Sequence, residues 1–164
     1  MEKLNIFIFM AAIAVAAVAA VEATDMNVNG LMYCDPCRVE FQTKISFPLS
    51  GVKVKLTCRG IGNDSTTLST EAITDGNGKY SLPVTGDHED DICEVTPVAP
   101  SSTDCNIPFK TVNSARVLLT KNVGVISAVR SASALGYMTA TADKRCHKIL
   151  LEMGFLPGTT DDSL

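Results

Sequence analysis

The N-terminal leader constrains everything behind it. Lys3 gives the segment a positive start, an Ala-rich apolar run extends from Ile6 to Val21, and Val21-Glu22-Ala23 places small residues at the −3 and −1 positions of a cleavage site. This is the layout of a secretory signal peptide, residues 1–23, cut after Ala23. A membrane-spanning helix wants about 20 strongly apolar residues, and this run is shorter and mostly alanine. No later stretch is apolar for long enough to span, so the expected mature product is residues 24–164, a single secreted domain.

That compartment gives the cysteines their meaning. All six, at positions 34, 37, 58, 93, 105 and 146, lie behind the cut. In an oxidising compartment an even set pairs completely, although spacing does not choose among the many possible pairings. Asn63-Asp64-Ser65 is an N-glycosylation sequon between turn-forming glycines, so Asn63 is a candidate glycan carrier.

Behind the leader the hydrophobic period is two. Val52, Val54, Leu56 and Cys58 alternate with Lys53, Lys55 and Thr57, the pattern of a strand with one wet face. Val28–Tyr33, Thr66–Thr74, Ile92–Val98 and Ala115–Thr120 are further strand candidates, and Val123–Val129 is an ambiguous apolar stretch. Asp75-Gly76-Asn77-Gly78 signals a reversal, and the alternation of Tyr80, Leu82 and Val84 behind it predicts a hairpin. Short strands with recurring turn signals predict an all-β sandwich or small barrel. One segment is helical in period: Cys146, Ile149, Leu150 and Met153 form an apolar stripe. Thr141 or Asp143 is placed to cap it, Gly154 to end it, and Pro157 follows; the tail from Gly158 to Leu164 reads as frayed.

Composition excludes several functions. A formal charge of −4 supplies no basic field for a phosphate backbone, so no nucleic-acid partner is expected. The chain has no Trp and few aromatics, which leaves stacking platforms for bases or sugars poorly supplied. No phosphate-binding loop or nucleophile elbow occurs, and no cofactor is implied.

The sharpest local feature is Cys34-Asp35-Pro36-Cys37. A thiol–disulfide exchange site needs its first Cys at a helix start in a βαβ setting. Here a strand candidate precedes the pair and β patterning follows, so the two read as structural half-cystines with distant partners. Zinc would need a second close Cys pair or a His pair, and the sequence has neither. Asp75-Gly76-Asn77-Gly78 begins like a calcium loop, but Lys79 and Gly86 stand where carboxylates are required. Asp87-His88-Glu89-Asp90-Asp91 reads as a solvated loop, and Cys146-His147 are helix neighbours that point apart.

The residues around the first two cysteines also carry a family likeness. Gly30-Leu31-Met32-Tyr33-Cys34-Asp35-Pro36-Cys37-Arg38 resembles the signature of the pollen Ole e I family, secreted plant proteins that include the major olive-pollen allergen and extensin-like members. The similarity continues through Cys58 at a strand end, Gly78-Lys79-Tyr80-Ser81, Asp91-Ile92-Cys93-Glu94-Val95, Asp104-Cys105-Asn106, and Cys146 with Leu151–Pro157. The chain departs from the usual signature at Asn29, Met32 and Pro36.

The resemblance implies bridges Cys34–Cys105, Cys37–Cys146 and Cys58–Cys93. It also implies a disulfide-stapled antiparallel sandwich or barrel of about seven strands with a short C-terminal helix. The function it implies is a non-enzymatic protein of the cell wall or apoplast, linked to pollen-tube or tissue growth and allergen-like. Expected partners are cell-wall polysaccharide or an extracellular protein. Lys53 and Lys55, on the wet strand face, are the candidate contacts for an acidic polymer. Two other readings are a soluble ligand for a receptor or polysaccharide and, more remotely, a thiol oxidoreductase using Cys34 and Cys37.

Overall fold

The computed structural model describes residues 26–100 and 104–155. The signal-peptide, Pro157 and frayed-tail expectations lie outside those residues. Ten strands and one helix are present among the described residues: β1 Met26–Asp35, β2 Phe47–Pro48, β3 Lys53–Gly60, β4 Thr66–Ile73, β5 Lys79–Val84, β6 Asp91–Ala99, β7 Cys105–Pro108, β8 Ala115–Val117, β9 Val129–Ser131, β10 Leu135–Thr139 and α1 Cys146–Glu152. β2, β8 and β9 are only two or three residues long, which leaves seven longer strands. No helix among the described residues is long and apolar enough to cross a membrane.

The strands form two sheets. One is antiparallel in the order β4-β3-β6-β8. Its inner face is the predicted row, with Val54, Leu56 and Cys58 fully buried and Lys53 and Arg59 exposed at its ends. The second sheet is organised around β1, whose first half pairs with β5 and β9 and whose second half pairs with β2 and β10. Met26, Val28 and Met32 of β1 enter one shared core with Leu82, Leu56, Val95 and Leu135.

Two expectations need correction. The reversal at Asp75–Gly78 is present, closed by the Gly78 N–H donating to the Asp75 carbonyl at 2.9 Å, with Gly78 at φ 72°. However, it does not make a hairpin: β4 pairs with β3 while β5 pairs with β1, so the turn carries the chain from one sheet to the other. The second sheet is also mixed rather than antiparallel, because β9 and β10 both run parallel to β1. The whole of the other sheet intervenes in sequence, and a long crossover of that kind is what parallel neighbours require.

α1 closes the described structure. Cys146 and Ile149 are its buried residues. The Asp143 carboxylate accepts the Arg145 backbone N–H at 2.8 Å, just ahead of the first turn. At the other end Gly154 takes φ 78°, its N–H donates to the Leu151 carbonyl, and the Phe155 N–H reaches the Leu150 carbonyl. This is a Schellman ending, and it stacks Phe155 on Phe41 with ring centroids 4.5 Å apart.

Candidate functional site

Gly30–Glu40 holds the densest set of chemistry-bearing residues, and β1 leads directly into it. The first question is what its two cysteines do. Cys34 is bonded to Cys105 and Cys37 to Cys146, with Cα–Cα distances of 6.0 and 5.3 Å; Cys58 is bonded to Cys93 between neighbouring strands. Cys34 and Cys37 therefore do not pair with each other, and the chain has no free thiol. The first bridge ties β1 to the edge strand β7, and the second clamps α1 to the loop behind β1. Together they span sequence separations of 71 and 109 residues.

Asp35 occupies the centre of this segment and is completely buried. One carboxylate oxygen accepts the N–H groups of Cys37 and Arg38 at 2.8 and 3.0 Å; the other accepts those of Val39 and Glu40 at 2.6 and 2.8 Å. Four consecutive donors bend around one anion, and Arg38 and Glu40 take left-handed φ values of 59° and 61° to allow it. The Arg38 guanidinium crosses to the carbonyls of Thr139 and Ala140, at the end of β10. The Glu40 carboxylate collects the N–H groups of Lys110, Thr111 and Val112. Those donors, Lys110 first, hold the Glu40 carboxyl below its ordinary range.

The remaining signature residues are packing parts. Tyr33 is buried edge-on against Phe109, with centroids 5.7 Å apart. Burial, followed by the charges of Asp35 and Glu40, pushes the Tyr33 phenol up to about 12. Gly30 lies opposite Tyr80 in the β1–β5 ladder, and a Cβ there would come within 2.1 Å of the Tyr80 hydroxyl. The ring covers the glycine, so no side chain fits at that position.

The likeness of this segment to known proteins extends over most of the chain. A family model described as "Pollen protein Ole e 1 like" matches residues 24–154. The chain belongs to that family. It is 46% identical over 131 residues to the anther-specific protein LAT52 of Solanum lycopersicum, covering 80% of this chain and 81% of that one. It is 42% identical over 154 residues to the pollen allergen Che a 1 of Chenopodium album, covering 90% and 92%. The crystal structure of the major plantain pollen allergen Pla l 1 superposes with a TM-score of 0.68 at 30% identity, covering 74% of this chain and 98% of that one.

Within this Ole e 1-like fold, the acidic run at 87–91 is solvated at Asp87, Glu89 and Asp90, as its composition suggests, but His88 and Asp91 turn inward. His88 is buried, with Nδ1 2.7 Å from the Asp91 carboxylate and Nε2 3.1 Å from the Thr85 carbonyl. The Asp91 carboxylate also accepts the Thr67 hydroxyl, and Thr67 followed by His88 holds that carboxyl down. Asp87 accepts the Lys121 N–H and the Thr120 hydroxyl, which lower it in the same way. Sequence reasoning missed the role of Asp87 because Thr120 and Lys121, its partners, lie 33 and 34 residues away and leave no local signal. The fold also brings Cys58, His88 and Cys93 together, their ligand atoms within 4.8 Å. Both sulfurs are consumed by the Cys58–Cys93 bridge, so neither is a thiolate donor for zinc.

The wet face of β3 mixes cations with anions. Lys53 pairs with Glu71 at 3.3 Å, and Lys55 lies opposite the same Glu71 in the ladder. Arg59 faces Asp64 and Arg116 faces Glu94. Asn63 is exposed in the turn between β3 and β4.

Proposed function

We propose that the chain is a secreted, non-catalytic protein of the plant cell wall or apoplast that works by interaction and is linked to pollen-tube or tissue growth. In this reading residues 1–23 are removed and 24–164 form the mature domain. The observation that carries it is the fate of the signature segment. Cys34 and Cys37 are each locked to a distant cysteine, and the Asp35 carboxylate is saturated by four backbone donors. Side chains that would serve thiol exchange or acid–base chemistry are committed to holding the backbone. Membership among pollen proteins, several of them named as allergens, and complete pairing of the cysteines support an extracellular setting and allergen-like character.

A protein or polysaccharide partner would meet a face of mixed charge and exposed aliphatic groups. Lys53 is paired with Glu71, which also lies opposite Lys55, so those two lysines would meet an acidic polymer with part of their charge already answered.

The test is expression of the full chain in plant tissue, followed by separation of cells, apoplastic fluid and salt-extracted wall. The expected product begins at Thr24, takes up no alkylating label without reduction, and is recovered outside the cell. Retention in cells with the leader attached overturns the reading. So does labelling of Cys34 and Cys37 together with reductase activity.

A further inference from the structure

We propose that the chain self-associates through the free edge of β4. A second copy lays its own β4 antiparallel alongside, about a two-fold axis at Thr70, and the two four-stranded sheets join into one. The contact goes beyond the function proposed above and does not depend on it.

β4 is an outer strand of its sheet, laddered to β3 on one side. Two observations fix which backbone groups face outward. The Thr74 N–H donates to the Val52 carbonyl, and alternation from that pair turns the N–H and C=O groups of Ala72, Thr70 and Leu68 toward β3. On the other side of β3, Cys58 and Cys93 lie opposite each other with Cα atoms 4.0 Å apart, the narrow kind of pair that exchanges no backbone bonds. Cys58 therefore turns its backbone groups to β4, where Leu68 is its partner, in agreement with the first observation. The groups of Ser69, Glu71 and Ile73 are left pointing outward, and all three residues are exposed.

A bare edge is a template for another strand, and the other outer strands carry devices against it. β5 contains Lys79 and Pro83, β2 and β7 end in proline, and β8 and β9 have three residues each. β4 has eight residues, no Lys, Arg or Pro, and a single charge at Glu71.

Register and charge select a second copy as the occupant. With Thr70 on the axis, Ser69 exchanges backbone bonds with Glu71 of the second copy, and Glu71 with Ser69 of the second copy. On the inner face Leu68 meets Ala72 of the second copy, and both are partly buried groups at the margin of the core. Moving the axis to Glu71 sets the two glutamates directly opposite, which is unfavourable. Moving it to Ser69 replaces the Leu68–Ala72 contact by Leu68 against Thr70. The edge is thus complementary to itself in one register. An interface confined to a strand edge is small, so the expected Kd is about 100 μM.

The experiment uses the full-length secreted protein. Sedimentation between about 10 μM and about 1 mM should show the mass rising from one chain toward two. In amide spectra over the same dilution, the shifts should centre on Ser69, Glu71 and Ile73. Charge at Ser69 then reads the register. Ser69→Glu sets a carboxylate against Glu71 of the second copy and should weaken association about fivefold, whereas Ser69→Lys should tighten it about as much. The same two changes at Asn113, exposed beside the opposite edge of the sheet, should leave association unaltered. The amide reading uses the unmutated protein and holds even where a variant folds poorly. A single chain at the highest concentration overturns the proposal and leaves the edge to a strand of another protein. Shifts centred elsewhere, or Ser69→Glu and Ser69→Lys acting in the same direction, also overturn it.

Discussion

Two irregular segments of this molecule are built on opposite plans. Around Asp35, a buried anion gathers four backbone N–H groups. At the base of the loop 121–128, the buried Arg130 guanidinium gathers the carbonyls of Thr120, Ser127 and Val129. The first segment draws its polar residues inward. The second pushes aliphatic residues outward, with Val125 49% exposed and Ile126 entirely so. In both places a charge is answered by backbone dipoles rather than by an opposite charge. The comparison teaches that residue polarity is a poor guide to function here. The signature cysteines are structural, as their setting suggested, while the apolar stretch 123–129, ambiguous in sequence, is surface.

The largest effect should come from cutting the covalent tie beside the anion. Replacing Cys37 and Cys146 together by Ala opens a loop with a sequence separation of 109 residues, and the expected loss is about 4 kcal/mol. Urea unfolding checks it. A loss below about 1 kcal/mol would mean that α1 stays docked without the bridge.

Next is Asp35→Asn. The amide can accept from one pair of donors, but its NH2 group then faces the other pair. We expect a loss of about 3 kcal/mol, with the slope of the urea transition unchanged. Arg130→Met is the matching change at the other segment, and it leaves carbonyls without their donor. The expected loss there is about 2 kcal/mol, smaller because the loop it braces is open to water. If Arg130→Met proves the costlier of the two, the ranking of the two braces is wrong.

These two braces also show where the sequence was readable and where it was not. Alternation revealed β3 and β5 because each has one buried face, and the stripe of Cys146 and Ile149 revealed α1. β10 stayed hidden because Gly136 interrupts Leu-Gly-Tyr-Met-Thr. That glycine is present for close approach to β1, since a Cβ would fall 2.3 Å from the Tyr33 carbonyl oxygen. β7 and β2 are short and contain proline, so they fall below any pattern. The residues Asp35, Glu40, Asp87 and Arg130 act on backbone groups, which carry no sequence identity. Position 35 was visible as part of a signature, but its task was not.

Acid should loosen both segments, in a predictable direction. Glu40 braces Lys110–Val112 and Asp87 braces Thr120 and Lys121, and both carboxyls are held below their ordinary values of 4.5 and 3.8. A lowered folded-state value means that the stabilisation is fully present above the unfolded value and is lost as pH falls through the folded one. Stability should therefore be flat above about pH 5 and decline below about pH 4, with Asp143, held at about 2 by the Arg145 guanidinium, giving way last. Thermal melts across that range test this. Glu40→Gln and Asp87→Asn should each flatten part of the decline, and a decline unchanged in both variants would locate the acid sensitivity elsewhere.

The smallest effect belongs to the tip of the loop. Ile126 is fully exposed, so Ile126→Ser removes no buried area and should change stability by less than about 0.5 kcal/mol. The same substitution at Ile149, which is buried on α1, should cost several times more, because it removes buried apolar surface and leaves a hydroxyl in the cavity. The pair sharpens the contrast, since the sequence writes both positions with the same residue. If Ile126→Ser lowers the melting temperature as far as Ile149→Ser does, the loop folds back onto the protein in solution. Arg130 would then be bracing a second packing surface, and the outward plan described for this segment would be wrong.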